Sequence, residues 1–191
     1  MKQKKCSVCS ESFTPTRPLQ KVCSLACSIE LATRTRLKKE AAEHRERKKK
    51  AKTKAQWIRE CQQIFNKYIR LRDHDKPCIS CGKSDVEWTP GGMWDCGHFI
   101  SIGSHPELRF VELNAYKQCK KCNGGSGRFA KKHHTVSKQY RENLIEKIGI
   151  EKVEWLEGPH EPKRYTIEDL QSIKAEYTRK ARECEKNISH T

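Results

Sequence analysis

No apolar run in these 191 residues approaches the roughly 18 consecutive positions that a membrane span requires. No apolar stretch follows the basic opening Met1–Lys5, so a secretory leader is not expected and a cytoplasmic setting is. Apolar residues make up only 35% of the chain, against 34% charged, and aromatics only 7%. That balance excludes one large core. Small domains with so little to bury rely on a staple: disulfides, metal or oligomerisation. Acidic residues are also in short supply, 24 against 40 Lys and Arg, which leaves a formal charge of +16.

Cysteine, by contrast, is plentiful: there are 11. Where thiols stay reduced, paired cysteines favour metal over disulfides. Cys6, Cys9, Cys23 and Cys27 form two knuckles separated by a turn-rich interval, which suits a tetrahedral four-cysteine zinc site. A second set, Cys78, Cys81, Cys119 and Cys122, brackets 37 residues. Zinc there would close a long loop and fix whatever the loop presents. Both sets are complete without Cys61, Cys96 and Cys184. Cys61 falls within an apolar helix face as small core filler, and Cys184 reads as a free thiol.

The charge is not evenly spread. Residues 29–56 contain 11 basic and 4 acidic side chains, with no Gly or Pro. Arg34, Arg36, Lys38, Lys39, Arg45, Arg47, Lys48, Lys49, Lys50, Lys52 and Lys54 make this stretch a candidate contact for a nucleic-acid backbone. The segment is helical by propensity and lacks a sustained apolar stripe, so a basic helical linker is expected.

Four parts follow from the pattern: a zinc module at 1–28, the basic linker at 29–56, a domain at 57–157 and a helical segment at 158–191. Trp57, Cys61, Ile64, Phe65 and Tyr68 recur at helical spacing, as do Tyr140, Leu144, Ile145 and Ile148. Gly149 is a natural helix stop. Thr166 and Asp169 form a capping-box pattern ahead of Ile167, Leu170, Ile173 and Tyr177. The expected fold class is small, zinc-stabilised α+β.

Between the central cysteine pairs lie "MWDCGHFI", which suits a short strand, the turn "GSHPEL", and "LRFVELN", expected to return as the second strand. A helix is expected after "CN" at Cys122–Asn123. His98, Asn114 and Asn123 on such a hairpin-and-helix resemble the HNH endonuclease superfamily in its HNN form. The series "YIRLRDHDKPCISCG", "WDCGHF", "ELRFVELNAYKQCKKCN", "LIEKIG" and "SIKAEY" further resembles the lambdoid-phage NinG (Rap) recombination-protein family, over about residues 4–186.

The resemblance implies a ββα-metal finger and a metal-dependent endonuclease for branched DNA, such as D-loops and Holliday junctions. It further implies the host bacterial cytoplasm as setting and phage or host recombination proteins as partners; single-strand-containing DNA and a second copy of the chain are further candidate partners. On that analogy His98 is the general base that activates water, and Asn114 holds the loop and orients His98. Asn123 and Asp95 would bind Mg²⁺ or another divalent cation. Common HNH motifs place the acidic ligand directly before the histidine, where this chain has Gly97. Asp95 lies three positions before His98, so it reaches the ion only if the strand bends at Gly97. His133 and His134 are candidates for contact with DNA or metal, with solvent exposure as the plainer reading, and His105 reads as a turn residue. The competing function is a non-catalytic zinc protein that binds DNA or RNA as a regulator.

Overall fold

The computed structural model describes residues 3–125 and 133–189, apart from the side chains of residues 49, 125, 133 and 134. The chain divides into two units, residues 1–52 and 53–191.

In the first unit β1 (Lys4–Lys5) pairs antiparallel with β2 (Ser12–Phe13), and α1 runs from Leu25 to Lys50. Ala, Leu, Lys, Arg and Glu dominate α1, and good helix formers suffice for a helix with almost nothing to bury. Its described side chains face solvent apart from half-buried Cys27 and Leu31. Pairs at helical spacing, Glu30–Arg34, Arg36–Glu40 and Glu43–Arg47, give it weak support.

This helix begins four residues earlier than expected and does not continue to 55. The cause is Thr53, whose Oγ1 accepts from the Gln56 N–H at 3.3 Å while its own N–H donates to Gln56 Oε1 at 2.9 Å. That reciprocal cap starts a new helix, α2 (Lys54–Arg72). Lys54 therefore belongs to α2 and not to the basic helix.

In the second unit α2 packs along α6 (Ile167–Ser189). Trp57, Cys61, Phe65, Tyr68 and Ile69 of α2 are buried against Leu170, Tyr177 and Ala181. Phe65 meets the Tyr177 ring edge-on at 4.8 Å, and the Cys61 thiol donates to the Leu170 carbonyl at 3.0 Å. Thr166 and Asp169 form the capping box expected from their spacing. The segment after residue 158 thus shares one core with α2.

A two-stranded antiparallel ribbon lies against that core: β3 (Trp94–His98) and β4 (Ala115–Cys119), paired from Trp94–Cys119 to His98–Ala115. The returning strand is therefore "AYKQC" and not "LRFVELN". Between the strands, Pro106–Leu108 and Glu112–Asn114 form 3-10 turns, because the Asn114 side chain claims the loop backbone that a strand would need. All five β4 residues are buried, so β4 lacks the polar–apolar alternation that marks a half-exposed strand.

A short helix, α3 (Lys120–Gly125), follows β4, then α4 (His133–Ile148) and α5 (Ile150–Glu157). Gly149, at φ +88°, ends α4 and lets α5 start at once, in a stretch where no helix is expected from the spacing. Tyr140 and Leu144 of α4 and Val153 and Leu156 of α5 form a second core with Ile79, Leu108 and Tyr116. The described part is α+β, and none of its helices is long and apolar enough to cross a membrane.

Phe65 is fully buried where α2, α6 and the ribbon meet. Phe65→Ala should cost about 3–5 kcal/mol, read as a lowered urea midpoint of unfolding. A shift below about 1 kcal/mol would show that this junction is not a shared core.

Candidate active site

Two clusters of thiols stand in the fold. Cys6, Cys9, Cys23 and Cys27 bring their sulfurs within 4.8 Å of one another, as do Cys78, Cys81, Cys119 and Cys122. Zinc–sulfur bonds of about 2.3 Å in a tetrahedron put sulfurs about 3.8 Å apart. Here Cys9–Cys23 is 3.5 Å, Cys23–Cys27 3.7 Å and Cys81–Cys119 4.0 Å. Both sets fit zinc. The Cys9 thiol pushes its neighbour Cys23 up to about 12, while the Cys9 backbone N–H helps hold Cys6 down to about 6.

The two knuckles share a turn. After Cys78-x2-Cys81, Gly82 at φ +68° donates to the Cys78 carbonyl at 2.9 Å. After Cys6-x2-Cys9, Ser10 at φ +63° makes the same bond to Cys6 at 3.0 Å. Cys96 is no ligand but a buried core residue beside Phe65 and Ala115.

Side chains alternate along a strand, and the ribbon shows which face each takes. Cys96 packs into the α2–α6 core, and His98 stacks on Phe65 of α2 with ring centroids 6.0 Å apart. Asp95 and Gly97 take the opposite face. Asp95 meets Asn123 and Lys120 of α3, and a Cβ on Gly97 would lie 2.9 Å from Gln118 Cβ. The register is unbroken from Trp94 to His98, so the strand does not bend at Gly97. Gly97 is there to make room for Gln118, whose buried amide donates to Ser80 Oγ at 2.7 Å.

His98 is half-buried, and its Nε2 lies 3.3 Å from the Arg109 carbonyl oxygen. A carbonyl only accepts, so the ring proton sits on Nε2 and Nδ1 keeps its lone pair. Burial holds the imidazole down to about 4, which makes it neutral at pH 7. Arg109 is fixed in turn by Gln62 Oε1 at 3.1 Å and the Ile102 carbonyl at 3.3 Å.

Asn114 is fully buried and holds the loop. Its Oδ1 accepts from Ile100 N–H at 2.7 Å, and its Nδ2 donates to the carbonyls of Ile100 and Leu108 at 3.0 and 3.2 Å. These bonds end on the loop backbone, and the His98 ring takes its orientation from Arg109 and Phe65 instead.

Asp95 and Asn123 come together, the Asn123 amide donating to Asp95 Oδ2 at 2.9 Å. Lys120 Nζ stands 3.0 Å from Asp95 Oδ1. One carboxylate and one amide oxygen suit a hard cation in kind. In this arrangement, however, both Asp95 oxygens are engaged and a lysine ammonium supplies the positive charge.

Of the basic residues, Arg34, Arg36, Lys38, Lys39, Arg45, Arg47, Lys48 and Lys50 line exposed α1, Lys52 is half-buried after it, and Lys54 opens α2. The side chains of Lys49, His133 and His134 lie outside the described residues. His105 caps a 3-10 turn, with Nδ1 2.9 Å from Glu107 Oε1. Arg109, Lys120 and Gln118 shape the site, yet no motif in the sequence singles them out. Lys120 could have been found only by noting a cation one position past Cys119.

With that geometry established, comparison with known proteins is decisive about kinship. The model of a family described as "Bacteriophage Lambda NinG protein" matches residues 1–187. The chain belongs to the NinG family. A curated relative named "Protein ninG" from Salmonella phage P22 is 36% identical over 194 residues, covering 92% of this chain and 89% of the relative. The protein of that name from Escherichia phage lambda gives the same figures, and that from Escherichia phage 933W is 34% identical over 200 residues, covering 95% and 93%. No solved structure matches the chain. Membership of the NinG family thus rests on nearly the full length, both cysteine clusters included.

Two outcomes test this site. Metal analysis should return two zinc ions per chain, one after Cys78→Ser and still two after Cys96→Ser; three of four ligands rarely hold a structural ion. Acid should act through His98. Its folded value of about 4 lies below the roughly 6.5 of an unfolded histidine, so the unfolded chain binds more protons between those values. That contribution to stability is complete above pH 6.5 and disappears as the pH falls toward 4. Urea midpoints of the native protein, compared with His98→Gln, should therefore converge or cross over that window; a pH-independent difference would mean the ring is not held neutral.

Proposed function

We propose that this NinG-family protein is a metal-dependent endonuclease of HNH type, acting on branched DNA such as D-loops and Holliday junctions with little sequence preference. The observation that carries the reading is His98: a neutral imidazole whose proton is committed to a backbone carbonyl, with its other nitrogen left as a base. Phosphodiester hydrolysis needs such a group to take a proton from water. Asn114 serves by holding the loop that begins after His98, and Phe65 by fixing the ring plane. Asp95 and Asn123 would hold Mg²⁺ once Lys120 gives up Asp95, and the ion would stabilise negative charge on the leaving oxygen. The exposed cations of α1 supply backbone attraction without sequence reading.

One observation favours a second reading, a zinc-stabilised DNA- or RNA-binding protein that does not cut. His98 and the Asp95–Asn123 pair stand on opposite faces of β3, and Lys120 already neutralises Asp95. Junction and D-loop substrates incubated with Mg²⁺ separate the two. For an endonuclease the native protein cuts, chelation abolishes cutting, and His98→Ala slows it by about 10²–10⁴-fold while binding persists. Binding with no cutting under any divalent ion would establish the second reading.

A further inference from the structure

A cleft of about 450 Å³ opens in the second unit beside the C-terminal end of α2. Arg70, His74, Gly91, Gly92, Trp94 and Lys117 line it. Arg70 is half-buried, yet it makes no hydrogen bond or ion pair among the described residues. Arg72, two positions on, is by contrast saturated by both Asp73 oxygens and the Ala115 carbonyl. A guanidinium carries five donors and cannot shed its charge, so a sheltered one without an acceptor is poised for an anion.

The surroundings reinforce that sign. Lys117 is 4% exposed, its Nζ bonded to the His74 carbonyl at 2.8 Å and set 4.2 Å from the centre of the Trp94 ring. It adds a second fixed cation beneath the cleft. Asp95 is the one acid in the lining, and Lys120 at 3.0 Å offsets it. Gln62, Asn66 and Arg70 recur every four residues along one edge of α2, and Gln62 holds Arg109, whose carbonyl orients His98. One polar edge thus links the candidate base to the cleft.

Resting on the nucleic-acid reading, we infer that this cleft binds one unpaired nucleotide of a single-stranded segment, its phosphate on Arg70 and its base against Trp94. The volume falls within the roughly 300–1,000 Å³ of small-ligand pockets, which admits a nucleotide and excludes a duplex. An aromatic ring beside an arginine is the combination that unpaired bases use, since every base has a face to stack and a phosphate to neutralise.

The test is binding of the full chain to a labelled oligothymidylate and to a blunt duplex across a salt series. Arg70→Gln should weaken the single strand about tenfold, the scale of one charge-assisted bond, and flatten the slope of log affinity against log salt by about 0.7. Arg70→Lys should restore that slope. Duplex affinity should change less than twofold, and zinc content not at all. Equal losses on single strand and duplex, or the same loss from Arg59→Gln on the exposed face of α2, would overturn the inference. So would an unchanged Arg70→Gln. The endonuclease reading fails separately: a native protein that never cuts but shows this Arg70 pattern leaves the nucleotide site standing. A native protein that does not bind the oligonucleotide overturns the site.

Discussion

Two strands of five residues cannot hold themselves together in water, and everything proposed for this site hangs on such a ribbon. Its ends are pinned by two different kinds of chemistry. At one end Cys119 pairs with Trp94 and joins the thiol cluster, where Cys119 N–H also donates to Cys78 Sγ at 3.3 Å. At the other, Arg72 bonds Asp73 and reaches the Ala115 carbonyl at 2.9 Å, while Asp73 accepts the Lys117 N–H at 3.1 Å. A buried ion pair contributes only where its remaining donors and acceptors are used, and here backbone groups use them. The thiol cluster and one arginine thus set the ribbon's ends, and the cores on either face fix its tilt.

The consequence for His98 is preorganisation. It is the last residue of β3, so pinning Ala115 opposite it places its backbone. The loop beyond it is tied by one buried amide, and its ring is trapped between Phe65 and a carbonyl. Each restraint is met in the resting protein. On the proposed endonuclease reading, a base held in one tautomer before substrate arrives would need no reorganisation in the transition state, which is where such restraint would contribute to rate.

Much of this was legible in the sequence, for reasons that are local. Cysteine spacing reports a metal cluster because two residues between thiols set a knuckle, whatever the rest of the chain does. Helical faces around Phe65, Leu144 and Tyr177 were visible because burial on one side forces a period, and Thr166 with Asp169 because a cap is a four-residue event. The return strand was not legible. "LRFVELN" has the apolar content of a strand, but Asn114 binds the loop backbone and leaves the pairing to "AYKQC", whose wholly buried residues show no alternation. The faces of β3 were partly legible. An odd separation between positions 95 and 98 puts them on opposite sides of any straight strand. Only a bend at Gly97 could have joined them, and Gln118 already fills the room beside that glycine.

The chain carries its excess positive charge in two physically different ways. On α1 the cations stand in water, where attraction to phosphate is long-ranged, indifferent to sequence and screened within about 8–10 Å at ordinary salt. At Arg70 and Lys117 the charges are sheltered by protein, so screening is weaker and geometry counts for more. On the proposed reading, a protein acting where duplexes branch would need both, since backbone attraction alone holds branched and unbranched DNA alike. The displaced strand of a D-loop offers unpaired nucleotides that a duplex lacks, and a concave site sized for one nucleotide favours them.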